Sequence, residues 1–334
     1  MPNIKVMHFG LGPIGAAIVK QVAARPGFKI VGAIDIDPAK VGRDLGDVVG
    51  LPKRLGAKVS SDAAKALKAA RPDVVILCTS SSIKTVLPQI EAILKAKVAI
   101  VSTTEELSYP GYTHIRQARQ VHALAKKAKV AVLGTGVNPG FAMDALPIAL
   151  TAVCERVDRI VVNRVQDARI RRLPFQQKIG AGLTTEQFQK KVDDGSVRHV
   201  GLTESIAMIA DAMGWTLDRI TDDIQPKLAA VTISSEFLAV DPGYVCGIIQ
   251  DGVGYRKNEP VVRLHMEAYL GAPESFDSVE IEGSPNISSK IVGGIHGDVA
   301  TASIVVNSIP KVLQATPGLH TMRDLALPSF FPGR

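Results

Sequence analysis

The feature that most constrains this chain is a six-residue turn near its start, Gly10-Leu11-Gly12-Pro13-Ile14-Gly15. An apolar run, Ile4 to Phe9, leads into it. Apolar residues at helical spacing follow from Ala16 to Ala24, and a second apolar run, Phe28 to Ile34, ends on Asp35. Strand, glycine turn, helix, strand and acid form a βαβ unit in which G-x-G-x-x-G opens the helix. Each residue type has a physical duty there. Gly10 permits the tight turn out of the strand, Gly12 lets a pyrophosphate approach the backbone, and Gly15 allows close packing of helix on strand. The helix start, with Pro13 and Ile14, offers N–H groups and partial positive charge to phosphates. Asp35 is placed to accept hydrogen bonds from an adenosine ribose. The unit predicts a site for NAD or NADP. Asp35 repels a 2′-phosphate and favours NAD, whereas Lys40 and Arg43 are compatible with NADP.

Beyond Asp35 the α/β alternation continues. Asp62 to Ala70 reads as a helix and Asp73 to Thr79 as a continuous apolar strand, the pattern of a parallel sheet buried on both faces. Ile83 to Ala96 reads as a helix that needs a break or a start near Pro88, Val98 to Val101 as a strand, Ile115 to Lys127 as a helix and Val130 to Leu133 as a strand. Thr79, Ser80, Ser81 and Thr103 follow strand ends, where doubly wound sheets hold their cofactors. This predicts an α/β Rossmann domain over residues 1–134. From there the pattern changes to strands that alternate polar and apolar: Arg159 to Val165, Ala229 to Ile233, Tyr244 to Ile249, Val261 to Tyr269 and Ser278 to Glu282. Helices are predicted at Thr185 to Val192, capped by Thr184, and at Glu204 to Met213. Residues 135–298 therefore read as an α+β domain with an antiparallel sheet, one face exposed. Residues 299–334 read as a helix, Val299 to Leu313, stopped by Pro317-Gly318 and followed from Leu327 by a loose strap.

The composition narrows the function classes. No apolar run reaches eighteen residues, so no membrane span is predicted. The N-terminus enters the first strand with no charged and apolar stretch before it, so no signal peptide is expected. Cys78, Cys154 and Cys246 stand apart, giving neither a disulfide framework nor a metal site, and the expected location is the cytoplasm. Net charge is +7, but the basic residues are dispersed and aromatics are 4%, too few for a base-stacking platform, so no nucleic-acid partner is expected.

Two loops at strand ends carry candidate chemistry. The first holds adjacent carboxylates, Glu105 and Glu106; the second reads Gly136-Val137-Asn138-Pro139-Gly140-Phe141 and is rich in turn formers. A carboxylate here can steady an ammonium or iminium or move a proton to and from nitrogen. Adjacent glutamates can equally be a solvated helix turn. His199 and His265 can line a pocket or serve as structural hydrogen-bond partners, and no histidine pair has metal spacing.

The loop GLGPIG, STTEELSYPG at Ser102 to Gly111, GTGVNPGFAMDALP at Gly134 to Pro147, HVGLTES at His199 to Ser205 and GDVATASIVVNSIP at Gly297 to Pro310 occur in this order. Together they resemble the 2,4-diaminopentanoate dehydrogenases, which belong with the dihydrodipicolinate-reductase-like proteins, a group that includes the native amine dehydrogenases. The resemblance runs nearly end to end. It implies a Rossmann domain, an α+β domain that forms a homodimer contact, and a final helix returning to the first domain. It implies reversible oxidative deamination of a small amine, or reductive amination of a ketone or aldehyde with ammonia. It implies Glu105 as the catalytic carboxylate, with Glu106 as the fallback beside the substrate. A pocket of Asn138, Pro139, Phe141, Met143, His199 and Thr301 is implied too, with Asn138 also near the cofactor. The chain departs from dihydrodipicolinate reductases, since Gln166-Asp167-Ala168-Arg169-Ile170-Arg171-Arg172 stands where a His-His-x-x-Lys motif would be. It also lacks the Glu-Lys-Pro of sugar-oxidising relatives. If a substrate carboxylate is held, Arg169, Arg171 and Arg172 are the candidates. The rival readings are an imine or carbonyl reductase without ammonia use and a catalytically silent NAD(P)-binding protein.

Overall fold

The computed structural model describes residues 3–333. The chain divides into two units, Met1–Phe141 with Gly297–Arg334, and Ala142–His296. The first unit contains β1 (Ile4–Phe9), α1 (Pro13–Ala24), β2 (Phe28–Ile34), α2 (Leu45–Val48), β3 (Val59–Ser60), α3 (Ala63–Ala70), β4 (Val74–Leu77), α4 (Ile83–Lys95), β5 (Ala99–Ser102), α5 (Ile115–Ala128) and β6 (Ala131–Gly134). The second contains α6 (Ala145–Leu150), β7 (Arg156–Asp167), α7 (Leu173–Lys178), α8 (Thr185–Asp193), α9 (Leu202–Ala212), β8 (Arg219–Leu228), β9 (Ile233–Ser234), β10 (Ala239–Val240), β11 (Val245–Arg256), β12 (Glu259–Tyr269), β13 (Phe276–Ser284) and β14 (Ile287–Val292). The chain then returns to the first unit with α10 (Gly297–Gln314) and β15 (Gly318–His320).

In the first unit the strands form one parallel sheet ordered β15-β6-β5-β4-β1-β2-β3. Its central strands are largely apolar because helices cover both faces; every residue of β4 is apolar and buried. Met7, Phe9, Val75, Leu77, Ile100 and Val132 pack with Leu67 of α3, Ile83, Ile90 and Ile93 of α4 and Val121 of α5. On the opposite face α10 packs on α1 and against β4, β5 and β6. The Gln21 amide donates to Ser303 Oγ at 3.1 Å and Arg25 Nη1 to Asn307 Oδ1 at 2.6 Å.

Three local expectations are corrected here. Helix α4 runs unbroken through Pro88. Burial of Ile83, Val86, Ile90, Ile93 and Leu94 on one stripe offsets the cost of an interior proline, about 3 kcal/mol. Pro317-Gly318 does more than stop a helix: Gly318–His320 adds an edge strand parallel to β6. The terminal strap is fastened. Phe331 meets Phe28 edge-on at 5.4 Å, its N–H donates to Asn307 Oδ1, and its carbonyl accepts from Arg25.

The second unit is built on a six-stranded sheet ordered β14-β13-β7-β12-β11-β8. The predicted antiparallel sheet is in fact mixed, since β7 and β12 pair in parallel. The chain between them, from α7 to β11, is long enough for the crossover that parallel pairing requires. Edge strands β8 and β14 escape a reading by periodicity because an edge needs no apolar face, and β8 carries Pro226 where only an edge tolerates it. The strand predicted at Ala229 to Ile233 shrinks to Ile233–Ser234 in a two-stranded ribbon with β10. Strand β11 continues past Ile249, and its Gly252 and Gly254 let α9 close on it: a Cβ at Gly252 would lie 2.7 Å from Ile206 Cδ1. The Thr184 cap is a full capping box with Gln187. No helix among the described residues is long and apolar enough to cross a membrane.

Candidate cofactor and acid–base site

The loops after β1, β4, β5 and β6 leave the carboxyl ends of four neighbouring parallel strands, so the first unit gathers them on one edge of its sheet. The glycine turn has one packed side and one open side. Gly10 sits at φ +94°, and a Cβ there would lie 2.5 Å from the Cys78 carbonyl oxygen. A Cβ on Gly15 would lie 2.1 Å from the Gly10 oxygen, whereas one on Gly12 would meet nothing within 4 Å. The bare backbone at Gly12 therefore faces open space at the start of α1, where Pro13 is the first helical residue and Ile14 and Gly15 follow. These are the contours a dinucleotide pyrophosphate fits. Asp35 braces the turn: Oδ2 accepts from the Leu11 N–H at 2.7 Å and Oδ1 from the Asp37 N–H at 2.9 Å. Arg43 is exposed and donates to the Ala39 carbonyl at 3.2 Å.

The loop after β4 holds Thr79, Ser80 and Ser81, and the loop after β5 holds Thr103, Glu105 and Glu106. Hydrogen bonds lock the two together. Thr103 N–H and Ser102 Oγ donate to the Leu77 carbonyl, Thr104 Oγ1 donates to the Ser80 carbonyl at 2.9 Å, and Glu106 N–H donates to the Ser81 carbonyl at 3.1 Å. The two glutamates differ in duty. Glu106 Oε2 accepts the Ile83 N–H at the start of α4 at 2.9 Å and lies 3.2 Å from His114 Nε2. A carboxylate so placed caps the helix and complements its dipole. Glu105 is half-buried in the same turn, and its carbonyl accepts from Ser108 N–H and Oγ. Sequence reasoning passed over Ser102, Thr104 and His114, which fix this turn, and over Gly134. A Cβ on Gly134 would lie 2.4 Å from the Leu107 oxygen, so glycine alone lets the Glu105–Leu107 turn rest on β6. A glycine closing an apolar strand was the available signal.

The loop after β6 carries Asn138 and the buried Pro139, joined by a cis bond, and then Phe141. Thr301 on α10 meets this loop, accepting from the Val137 N–H at 3.4 Å. Thus Gly10 to Gly15, Asp35, Thr79 to Ser81, Thr103, Glu105, Glu106, Asn138, Pro139, Phe141 and Thr301 all belong to the first unit, while Met143 and His199 belong to the second.

In the second unit Met143 is buried beside Asp144, whose carboxylate accepts from Ala145 N–H at 2.6 Å and Ser205 Oγ at 2.8 Å. His199 is held through its backbone: its N–H donates to Gln250 Oε1 and its carbonyl accepts from Gln250 Nε2. Its ring Nε2 is closed off from solvent and has no hydrogen-bond partner. Burial, with the positive charges of Lys178, Arg164, Arg171 and Arg198 adding to it, pushes His199 down to about 3, so the ring is neutral at physiological pH. The three candidate arginines separate clearly. Arg169 is half-exposed and paired with Asp167 at 2.6 Å. Arg171 is buried, donates to Gln166 Oε1 at 2.9 Å and stacks 4.0 Å over Phe175. Arg172 opens α7. Arg164, which the sequence pattern did not single out, is fully buried against Asp277 and donates to the Ile295 carbonyl. Among the described residues no group of three or more His, Cys, Asp or Glu side chains is arranged to hold a metal ion.

Residues 141–333 match the family model of the 2,4-diaminopentanoate dehydrogenase C-terminal domain, and residues 4–135 that of the dihydrodipicolinate reductase N-terminus. The 2,4-diaminopentanoate dehydrogenase of Acetoanaerobium sticklandii is 34% identical over 342 aligned positions, spanning 100% of this chain and 96% of that protein. An amine dehydrogenase of Streptomyces virginiae is 25% identical, spanning 97% and 96%. The solved amine dehydrogenase of Mycobacterium smegmatis superposes with a TM-score of 0.88 at 25% identity, covering 99% of this chain and 98% of that one.

Proposed function

The chain belongs to the 2,4-diaminopentanoate dehydrogenase family, and on that premise we propose that it is an NAD(P)-dependent amine dehydrogenase, working as a homodimer on a small amine. The observation that carries this reading is the division of labour between the glutamates. Glu106 is spent on capping α4, and it fixes the turn that sets Glu105 at the end of β5, on the sheet edge that also bears the glycine turn. Gly10, Gly12 and Gly15, the start of α1, Asp35, and the Thr79–Ser81 and Thr103 loops would hold the dinucleotide, whose nicotinamide supplies the hydride acceptor when bound. In the oxidative direction Glu105 takes a proton from the alkylammonium, freeing the nitrogen lone pair. The C–H then leaves as hydride while nitrogen closes a C=N bond. Water adds at that carbon and ammonia departs, with Glu105 carrying the protons between them. In the aminating direction the same carboxylate steadies the iminium by charge. In the first unit Asn138, Pro139, Phe141 and Thr301 would face the substrate.

The test is NADH consumption with a panel of ketones and keto acids, with and without ammonium, for wild type and Glu105→Gln. Consumption that requires ammonium, and falls by about two orders of magnitude or more in the variant, is the expected result. Consumption without ammonium would make the protein a carbonyl reductase. Cofactor binding without any turnover would leave it a nucleotide-binding protein.

A further inference from the structure

We propose that Asp37, through its hold on Lys40, is the residue that sets the preference of the adenosine end for NAD over NADP; the inference rests on the dinucleotide reading of the glycine turn. Asp35 by itself does not account for the region. Both its oxygens already receive a backbone N–H, from Leu11 and from Asp37, and these bonds tie the acid to the glycine turn. The next residue, Ile36, is 84% exposed. An apolar side chain left in water beside a ribose-binding carboxylate suits the face of an adenine ring. The charged groups just beyond Ile36 stand next to that carboxylate.

Two groups of opposite sign stand there. Asp37 Oδ1 accepts from the Ala39 N–H at 2.9 Å, and its backbone carbonyl accepts from Lys40 and Val41, so the side chain is fixed in its own turn. Lys40 Nζ lies 3.2 Å from Asp37 Oδ2 and 3.6 Å from Asp35 Oδ2. From sequence, Lys40 is a ready ligand for a 2′-phosphate. In the folded chain its ammonium is turned onto two carboxylates. The trio carries a net charge of −1, and a 2′-phosphate dianion placed against it is repelled. Arg43 does not rescue the site in this arrangement, since its Nη1 turns back to the Ala39 carbonyl. Asp37 thus acts twice: it adds negative charge near the 2′ position, and it withdraws the cation that would otherwise answer a phosphate there. Removing its charge leaves Lys40 shared with Asp35 alone, at the longer of the two distances, and able to swing to a phosphate.

The measurement is direct binding of NADH and NADPH, by fluorescence titration, to wild type, Asp37→Asn, Lys40→Met and the double variant. Asparagine keeps the oxygen that accepts the Ala39 N–H, so the turn is retained, and circular dichroism checks it. Wild type should bind NADH more tightly. Asp37→Asn should shift the affinity ratio towards NADPH by about tenfold, through NADPH binding. Lys40→Met alone leaves the two carboxylates with a charge of −2 and should shift the ratio further towards NADH, and in the double variant, where the charge returns to −1, the gain should vanish. A ratio unmoved in Asp37→Asn, or a gain that survives loss of Lys40, overturns the proposal while the cofactor reading stands. Failure of all four proteins to bind either nucleotide overturns both.

Discussion

The two sheets of this protein keep their polar groups in different places. In the parallel sheet of the first unit the strands are largely apolar, and the chemistry-bearing residues sit past the carboxyl ends of β1, β4, β5 and β6. In the mixed sheet of the second unit the strands themselves bury polar side chains: Arg164 against Asp277, Gln250 against His199 and Asp222, and Gln166 against Arg171 and Ile295. The first arrangement makes the site an addition to a core that is stable without it. The second makes the polar groups part of the core, so that changes to them act on folding. The first sheet also buries Ser102 at the end of β5, hydrogen-bonded to Leu77, and His8, a histidine in its middle with neither ring nitrogen hydrogen-bonded.

The strongest way to break the comparison is Arg164→Met. It leaves Asp277 buried and stripped of its charge partner, and the expected cost is about 3–5 kcal/mol of unfolding free energy. Replacing both partners, Arg164→Met with Asp277→Leu, should recover part of that loss, because the uncompensated charge is gone. Denaturant titration of the three proteins decides it. A single variant as stable as wild type would mean that the second core does not depend on its buried ions.

Gly12→Val tests the first unit from the opposite side. The open space beside Gly12 accepts a side chain, so the melting temperature should hold within a degree or two of wild type, while NADH affinity falls by at least about a hundredfold. Tight NADH binding by this variant would remove the dinucleotide from the glycine turn.

His8 sharpens the contrast with the smallest effect. Burial pushes it down to about 3, well below its unfolded value of 6.5. The unfolded chain therefore binds a proton that the folded one refuses between pH 6.5 and 3. The sign follows: this group's contribution is fully present above pH 6.5 and is lost as pH falls towards 3, by about 1.4 kcal/mol per pH unit. His8→Leu removes two unsatisfied buried nitrogens and should stabilise the protein by about 1–2 kcal/mol at neutral pH. The variant should also lose stability less steeply between pH 6.5 and 4. Parallel curves for the two proteins across that window would show that His8 is not a buried neutral base.

The glycine turn, Asp35, the apolar strands and the carboxylate loop were legible in the sequence because each is encoded locally. A turn needs particular residues at adjacent positions, and a strand buried on both faces must be apolar along its length. That local code was enough to give the Rossmann half, the Thr184 cap and the pair of glutamates. It did not distinguish the two glutamates. Glu106 is assigned by the Ile83 N–H and by His114, and neither is near it in any repeating pattern. The same holds for the turn of Lys40 onto Asp37 and Asp35, for the closure of α9 over Gly252 and Gly254, and for the pairing of β7 with β12. Arg164 and Asp277 are 113 residues apart, and nothing in either neighbourhood marks the other. Periodicity records the face a residue shows to its own element. Which charge meets which across the core is settled only when distant elements pack, because an unpaired buried charge costs more than the chain can leave uncompensated.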